Sequence, residues 1–334
     1  MSPSGHSLVV LATLFPRAAV GYPLLSLTRN SDCLPTYIEQ HHFDGFRVRK
    51  SNIMANKFNA VQTVEPDGLI TPEIGNWSEK KYNLLGRYCG IFTKAMKDKW
   101  NLVYIDLFAG AGYAKIRETG ATVKNCALVA MTTEKAFDFH LFNELDKEKY
   151  EALVARSAKH CDGRRHKVLN LDTNADIESI MAEVPTFNNG KGRLMFCFLD
   201  PFSLALHYDT IKALAKHKVD FLILLALQMA AKRNFHNYIN EENETISRFI
   251  GNPDWRKEFD KTAFGVKDFT RFLASQYDDR FQKLGYHTDV EKEQIATDTG
   301  LKLYYLAFYS RNDLGSKFFK AVKKASNDQF TLGL

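Results

Sequence analysis

The sequence predicts an α/β chain built on a mostly parallel, seven-stranded sheet with an inserted helical lobe. Three observations predict it. Short apolar runs alternate with amphipathic stretches between residues 77 and 225, the pattern of strand, crossover helix and strand. Those runs are apolar throughout rather than at every second residue, as strands buried on both faces must be. After residue 231 the pattern gives way to a polar stretch of helical period, followed by two late strand-like segments.

Residues 1–53 break at Gly21, Pro23, Pro35 and Gly45 without a sustained period and read as a poorly structured extension. Residues 54–231 read as the core, 232–285 as the helical insertion, and 286–334 as strands and a helix that complete the core. Trp77 to Lys97 forms an amphipathic helix, with Ser78 as N-cap and Tyr82, Leu85, Cys89, Phe92 and Met96 in one stripe. Leu102 to Phe108 is the first buried strand, its apolar run interrupted only by Asp106. Helices are then expected at Cys126–Lys135, Lys147–His160, Ala175–Val184 and Tyr208–His217, with strands at Phe137–Asn143, His166–Leu171, Arg193–Leu199 and Val219–Leu225. In the insertion Ile246, Phe249 and Ile250, then Phe269, Phe272, Leu273 and Tyr277, recur at helical spacing. Tyr286–Ile295 and Lys302–Tyr309 are read as antiparallel late strands, and Lys317–Ala325 as the closing helix.

Bulk properties narrow the classes. Hydrophobic residues are 45% and charged residues 25% of the 334 positions, enough apolar side chain for a large core. The net charge of +6 favours an anionic partner such as nucleic acid, although no run of five basic residues occurs and solvated helix faces account for the same surplus. Five cysteines with no C-x-x-C pair give neither a zinc site nor a disulfide framework, which fits a reducing cytoplasm and no bound metal. Leu8 to Phe15 is too short to span a bilayer and lacks a basic flank, so no membrane anchor is expected. The first 31 residues lack Asp and Glu and faintly resemble a transit peptide, but contain only two arginines.

The chemistry gathers where strands end. Phe108-Ala109-Gly110-Ala111-Gly112 leaves the first buried strand through a bend in which glycine lets backbone approach a ligand. Asp106 stands just before that bend, in the crevice where open α/β sheets bind ligands. There it can attract the methionyl ammonium of S-adenosylmethionine, or cap its own loop. Glu144 closes the second strand in FNELDKE, placed to accept from both ribose hydroxyls of an adenosine cofactor, and Asp146 reads as an N-cap. The interval from Asp106 to Glu144 is long, which an insertion at Tyr113 to Lys124 explains. Asp172 ends the third strand, where it suits either an adenine amino group or an Asx turn.

Asp200-Pro201-Phe202 leaves the fourth strand beside the same crevice. It resembles the D-P-P-Y type loop that holds a target amine while an aromatic ring stacks on its base, with Phe202 lacking the tyrosine hydroxyl. A rigid strand-stopping turn is the plainer use. After the fifth strand, Lys232 and Arg233 can bind phosphate or simply solvate a helix. These features together predict a Rossmann-like class I methyltransferase fold.

The segments SEKKYNLLGRYCGIF, YIDLFAGAG, FNELDKE, FLDPFSL, the KRN after strand five and LYYLAFYSRNDLGSKFFKAV resemble the three-Cys-motif partner proteins over roughly Trp77 to Val322. The resemblance implies a class I methyltransferase fold, a cofactor, and a partner protein bearing a three-cysteine motif. Two departures stand out: residues 1–53 fall outside it, and the third-strand acid follows Leu171 instead of glycine. Two other functions fit the pattern, a non-catalytic binding module working through its partner and a nicotinamide enzyme.

Overall fold

The computed structural model of the chain describes residues 59–259, 266–288, 292–296 and 302–331; the extension expected at residues 1–53 lies outside them. The strands are β1 (Glu73–Ile74), β2 (Asn101–Asp106), β3 (Tyr113–Ile116), β4 (Thr122–Lys124), β5 (Phe139–Asn143), β6 (His166–Leu169), β7 (Arg193–Leu199), β8 (Val219–Leu225), β9 (Glu293–Ala296) and β10 (Lys302–Tyr309). The helices are α1 (Ser78–Met96), α2 (Cys126–Met131), α3 (Lys147–His160), α4 (Ile177–Ala182), α5 (Tyr208–Leu214), α6 (Leu227–Ile239), α7 (Thr245–Ile250), α8 (Trp255–Glu258), α9 (Val266–Lys283) and α10 (Asp313–Thr331).

Seven strands form one sheet in the order β6-β5-β2-β7-β8-β10-β9. The first five run parallel, and β10 runs antiparallel to both β8 and β9. It follows that β9 keeps the direction of the parallel set, and only β10 is reversed. This is the Rossmann-like methyltransferase sheet the sequence predicts, with α6 to α9 as the helical lobe. Strand order reverses between β2 and β7, so the crevice of such a sheet opens above their carboxyl ends.

Alternation along each strand divides the core between two faces. Val103, Ile105, Leu141, Cys197 and Phe221 pack against α4, α5 and the lobe, while Leu102, Tyr104, Phe142, Phe196 and Leu222 pack against α1, α2 and α10. Both faces are buried, and each such side chain contributes about 1.5–3 kcal/mol, which is why the strands are apolar at every position. The lobe is fastened by aromatic stacking: Phe249 on Tyr277 at 4.8 Å, and Phe281 on Tyr309 of β10 at 3.8 Å between centroids.

Local details depart from expectation. The N-cap of α1 is Trp77, not Ser78, and no side chain caps it. The amides of Ser78 and Glu79 instead donate to the carbonyls of Gly75 and Asn76, so a capping hydroxyl is not needed. The insertion at Tyr113 to Lys124 is a β3–β4 hairpin that joins β1 in a three-stranded sheet. Among the described residues of Tyr286–Ile295 the strand begins at Glu293, with His287 making an isolated bridge to Ser310.

Candidate active site

Register brings three acids to one place. Asp106 pairs across with Phe142 on one side and Phe198 on the other. Glu144 and Asp200 lie two residues beyond those partners, so all three leave neighbouring strands at the same level. Asp106 is only 1% exposed, and its Oδ1 accepts from the Phe108 amide at 3.2 Å. Burial pushes its carboxyl up to about 8; Asp200 and Glu144 add to this, and the Phe108 amide and Lys81 oppose it.

The glycine loop is built from both sides. Gly110 and Gly112 have φ of +63° and +83°, a region side chains rarely adopt. The Gly110 amide donates to Glu144 Oε2 at 2.8 Å, and the Asp146 amide donates to Oε1 at 3.0 Å. Asn125, the N-cap of α2, donates to the Ala109 carbonyl at 2.7 Å, and the Ala109 amide donates to the Asn143 carbonyl. A Cβ on Gly112 would come within 3.3 Å of Arg156 and Leu128. Arg156 is buried on α3 and donates to Asp67, Leu69, Ile70, Thr71 and Ala111 while lying 4.2 Å over the Tyr113 ring. It therefore ties segment 67–71 to the loop, and its hydrogen bonds hold the Asp67 carboxyl below its ordinary value. Phe108 is half-buried and Ala109 buried beside it.

Asp172 makes the Asx turn: its Oδ1 accepts from Asn174 and Ala175 amides at 2.8 and 2.9 Å. Asn143, buried at the end of β5, exchanges hydrogen bonds with Leu171 and reaches Thr173, whose hydroxyl donates to the Leu107 carbonyl. One amide thus locks three strand ends together.

The D-P-F turn is held differently. Lys81 of α1, 8% exposed, donates from Nζ to Asp200 Oδ2 at 2.6 Å across 119 residues of chain. Burial alone would lower the lysine, but Asp200 holds it well above its ordinary value, so Lys81 stays an ammonium. Asn174 braces the far side of the turn through the Ala205 carbonyl and the His207 amide. Pro201 is buried, Phe202 is 89% exposed, and Ser203 takes a φ of +55°, the strained bend that throws the Phe202 ring outward. The Tyr304 hydroxyl, buried and without a hydrogen-bond partner, lies within electrostatic reach of Lys81 and Asp200. Lys232 and Arg233 are exposed on α6, beyond the carboxyl end of β8 and just before a non-helical Asn234.

Sequence reading missed Lys81, Asn125, Asn143, Arg156 and Tyr304. Lys81 and Arg156 had a signal: Lys81 is four residues before Leu85, and Arg156 three after Leu153, so helical spacing puts each charge on a buried face. No group of three metal-ligating side chains occurs among the described residues, and no described helix is long and apolar enough to cross a membrane. A cavity of about 430 Å³ lies elsewhere, at the amino ends of β7 and β8, lined mainly by apolar residues including Phe92, Met96 and Phe318, with Asp220 in its wall.

No family model and no curated protein matches the chain. Among solved structures, it is similar to a Legionella pneumophila protein at 11% identity and a TM-score of 0.45, covering 74% of this chain and 90% of that one. It is also similar to Trm1 from Pyrococcus horikoshii solved with S-adenosyl-L-methionine (11% identity, TM-score 0.40, 78% of this chain and 62% of that). A third is the METTL16 MTase domain, at 9% identity and a TM-score of 0.38, covering 68% and 66%.

Proposed function

We propose that the chain is an S-adenosylmethionine-dependent methyltransferase that acts on or with nucleic acid, together with a partner of the three-Cys-motif type. The observation that carries this reading is the convergence of Asp106, Glu144 and the Gly110–Gly112 backbone above the β2–β7 switch point. The groups present suit the parts of that cofactor. Asp106 offers a carboxyl to the methionyl ammonium. Glu144 has already taken two backbone N–H groups, yet each carboxylate oxygen retains a lone pair for a ribose hydroxyl. Leu145, 63% exposed beside Glu144, offers an apolar face to adenine, and Asp172 is proposed for its amino group. When bound, the cofactor supplies an electrophilic methyl group. Asp200, Pro201 and Phe202 then position the nitrogen that receives it, and alignment supplies most of the catalysis.

Nucleic acid as substrate or companion is supported by the net charge of +6, the exposed Lys232 and Arg233, and the outward Phe202 ring. The protein partner is supported by the motif resemblance over Trp77 to Val322, and a cytoplasmic setting by the free cysteines 89, 126, 161 and 197.

Isothermal titration with S-adenosylmethionine, S-adenosylhomocysteine and NAD tests the reading. The first two are expected to bind and NAD is not; binding of NAD with neither adenosyl ligand overturns it. Filter binding to RNA and DNA across a salt series is expected to weaken steeply with salt, and a flat response removes the polyanion from the proposal.

A further inference from the structure

We infer that Lys81 sets the charge class of the methyl acceptor: a neutral nitrogen, of the exocyclic-amine or amide kind, is admitted beside Asp200, and a protonated alkylamine is not. This deepens the methyltransferase reading and rests on it. The Asp200 carboxylate already has its counter-ion, an ammonium at 2.6 Å from Oδ2 that is walled off from water, and the acid itself is only 26% exposed. A second cation on Oδ1 would stand beside that ammonium in a poorly screened site, where like charges repel far more strongly than in water. A neutral N–H donating to Oδ1 adds a hydrogen bond without adding charge.

The surroundings point the same way. The groups whose charges bear on Lys81 and Asp200 are Asp106, Cys126, Tyr82 and Tyr304. Burial pushes the thiol and both phenols up, so they hold their protons at neutral pH, and none of them can relieve an ammonium of its own. A neutral amine needs no such relief: as its nitrogen takes the methyl group and the cofactor leaves as S-adenosylhomocysteine, the proton it directs at Asp200 Oδ1 passes to that carboxylate and on to solvent, to which Asp200 is 26% exposed. The exposed Phe202 ring completes the fit, a stacking face for the flat heterocycle on which such an amine is carried.

The test titrates protein saturated with S-adenosylhomocysteine with adenosine and cytidine, and separately with spermidine and Nα-acetyl-lysine amide. The parent is expected to favour the neutral pair by at least about tenfold. Lys81→Met frees the carboxylate and is expected to shift the preference toward the cations by about tenfold, whereas Lys81→Arg keeps the parent's order. A purely structural role would lower the melting temperature of both variants and leave the preference alone. If Lys81→Met does not fold, Asp200→Asn takes its place: it leaves the ammonium without a carboxylate and is expected to weaken the cations further. No preference in the parent, neither class binding, or an unchanged preference in Lys81→Met (in Asp200→Asn where that variant does not fold) overturns the inference. Failure to bind S-adenosylhomocysteine at all overturns the methyltransferase reading itself.

Discussion

Two carboxyls, one partly and one almost fully buried, sit at opposite ends of the same strand pair. Asp200 follows the carboxyl end of β7 and holds the Lys81 ammonium. Asp220, second residue of β8, lies at the amino end beside the 430 Å³ cavity, with the hydroxyls of Ser310 and Tyr88 beside it. Burial pushes Asp220 up to about 7, the two hydroxyls opposing this only in part, and the Tyr88 hydroxyl makes no well-formed hydrogen bond. The difference teaches what each end is built to carry. One carboxyl is matched by an ammonium; the other has hydroxyls beside it, and burial favours its neutral form. The carboxyl end thus holds the Lys81–Asp200 ion pair beside Asp106, itself pushed up to about 8, whereas at the amino end hydroxyls, and no cation, steady Asp220.

Four experiments distinguish the two ends of the sheet. The largest effect is expected from Asp200→Ala, which leaves Lys81 buried without a partner and should cost about 3–5 kcal/mol in denaturant unfolding. A loss under 1 kcal/mol would mean that the ion pair is not formed in solution.

Asp220→Asn should act in the opposite sense. A carboxyl raised by folding contributes stability that is complete below its unfolded value near 4 and lost as pH climbs through about 7. The variant should therefore flatten the limb between pH 4 and pH 7 by on the order of 2 kcal/mol and match or exceed the parent at pH 8. Urea melts from pH 4 to pH 9 decide it, and an unchanged limb contradicts the assignment. Asp106, pushed up to about 8, should leave a residual slope of the same sign.

Cofactor binding should drive Asp106 into its charged form. Titration at pH 7 in buffers of different ionisation enthalpy should show release approaching about one proton per ligand, abolished in Asp106→Asn. Proton uptake would mean that the ammonium binds elsewhere. The smallest effect on the fold is expected from Phe202→Ala, within about 0.5 kcal/mol of the parent because the ring is exposed. Single-stranded oligonucleotide affinity should nevertheless fall by about 1–3 kcal/mol if the ring stacks on a base.

The parallel core was legible because strands buried on both faces leave a signature of local composition, which needs no knowledge of the partner strand. The runs at Arg193–Leu199 and Val219–Leu225 coincide with β7 and β8 for that reason. The β3–β4 hairpin was not legible, since three- and four-residue strands stabilised by β1 and by Arg156 carry no period of their own. Asp106, Glu144 and Asp200 could be read because each terminates an apolar run. Lys81 could not be paired with Asp200, because that contact is set by how α1 crosses the sheet, which no spacing within either segment reveals. The same holds for Asn143, whose amide serves three strand ends at once.

In this reading the carboxyl groups of Asp106 and Glu144 and the bare backbone at 110 and 112 surround an adenosyl group. A crystal structure of the chain with S-adenosylhomocysteine tests it most directly. The account predicts the ribose on Glu144, the methionyl ammonium toward Asp106 and the Gly110–Gly112 loop against the ligand. A nucleoside seated elsewhere, as in the cavity beside Asp220, or a crevice filled by the protein's own side chains, would contradict it.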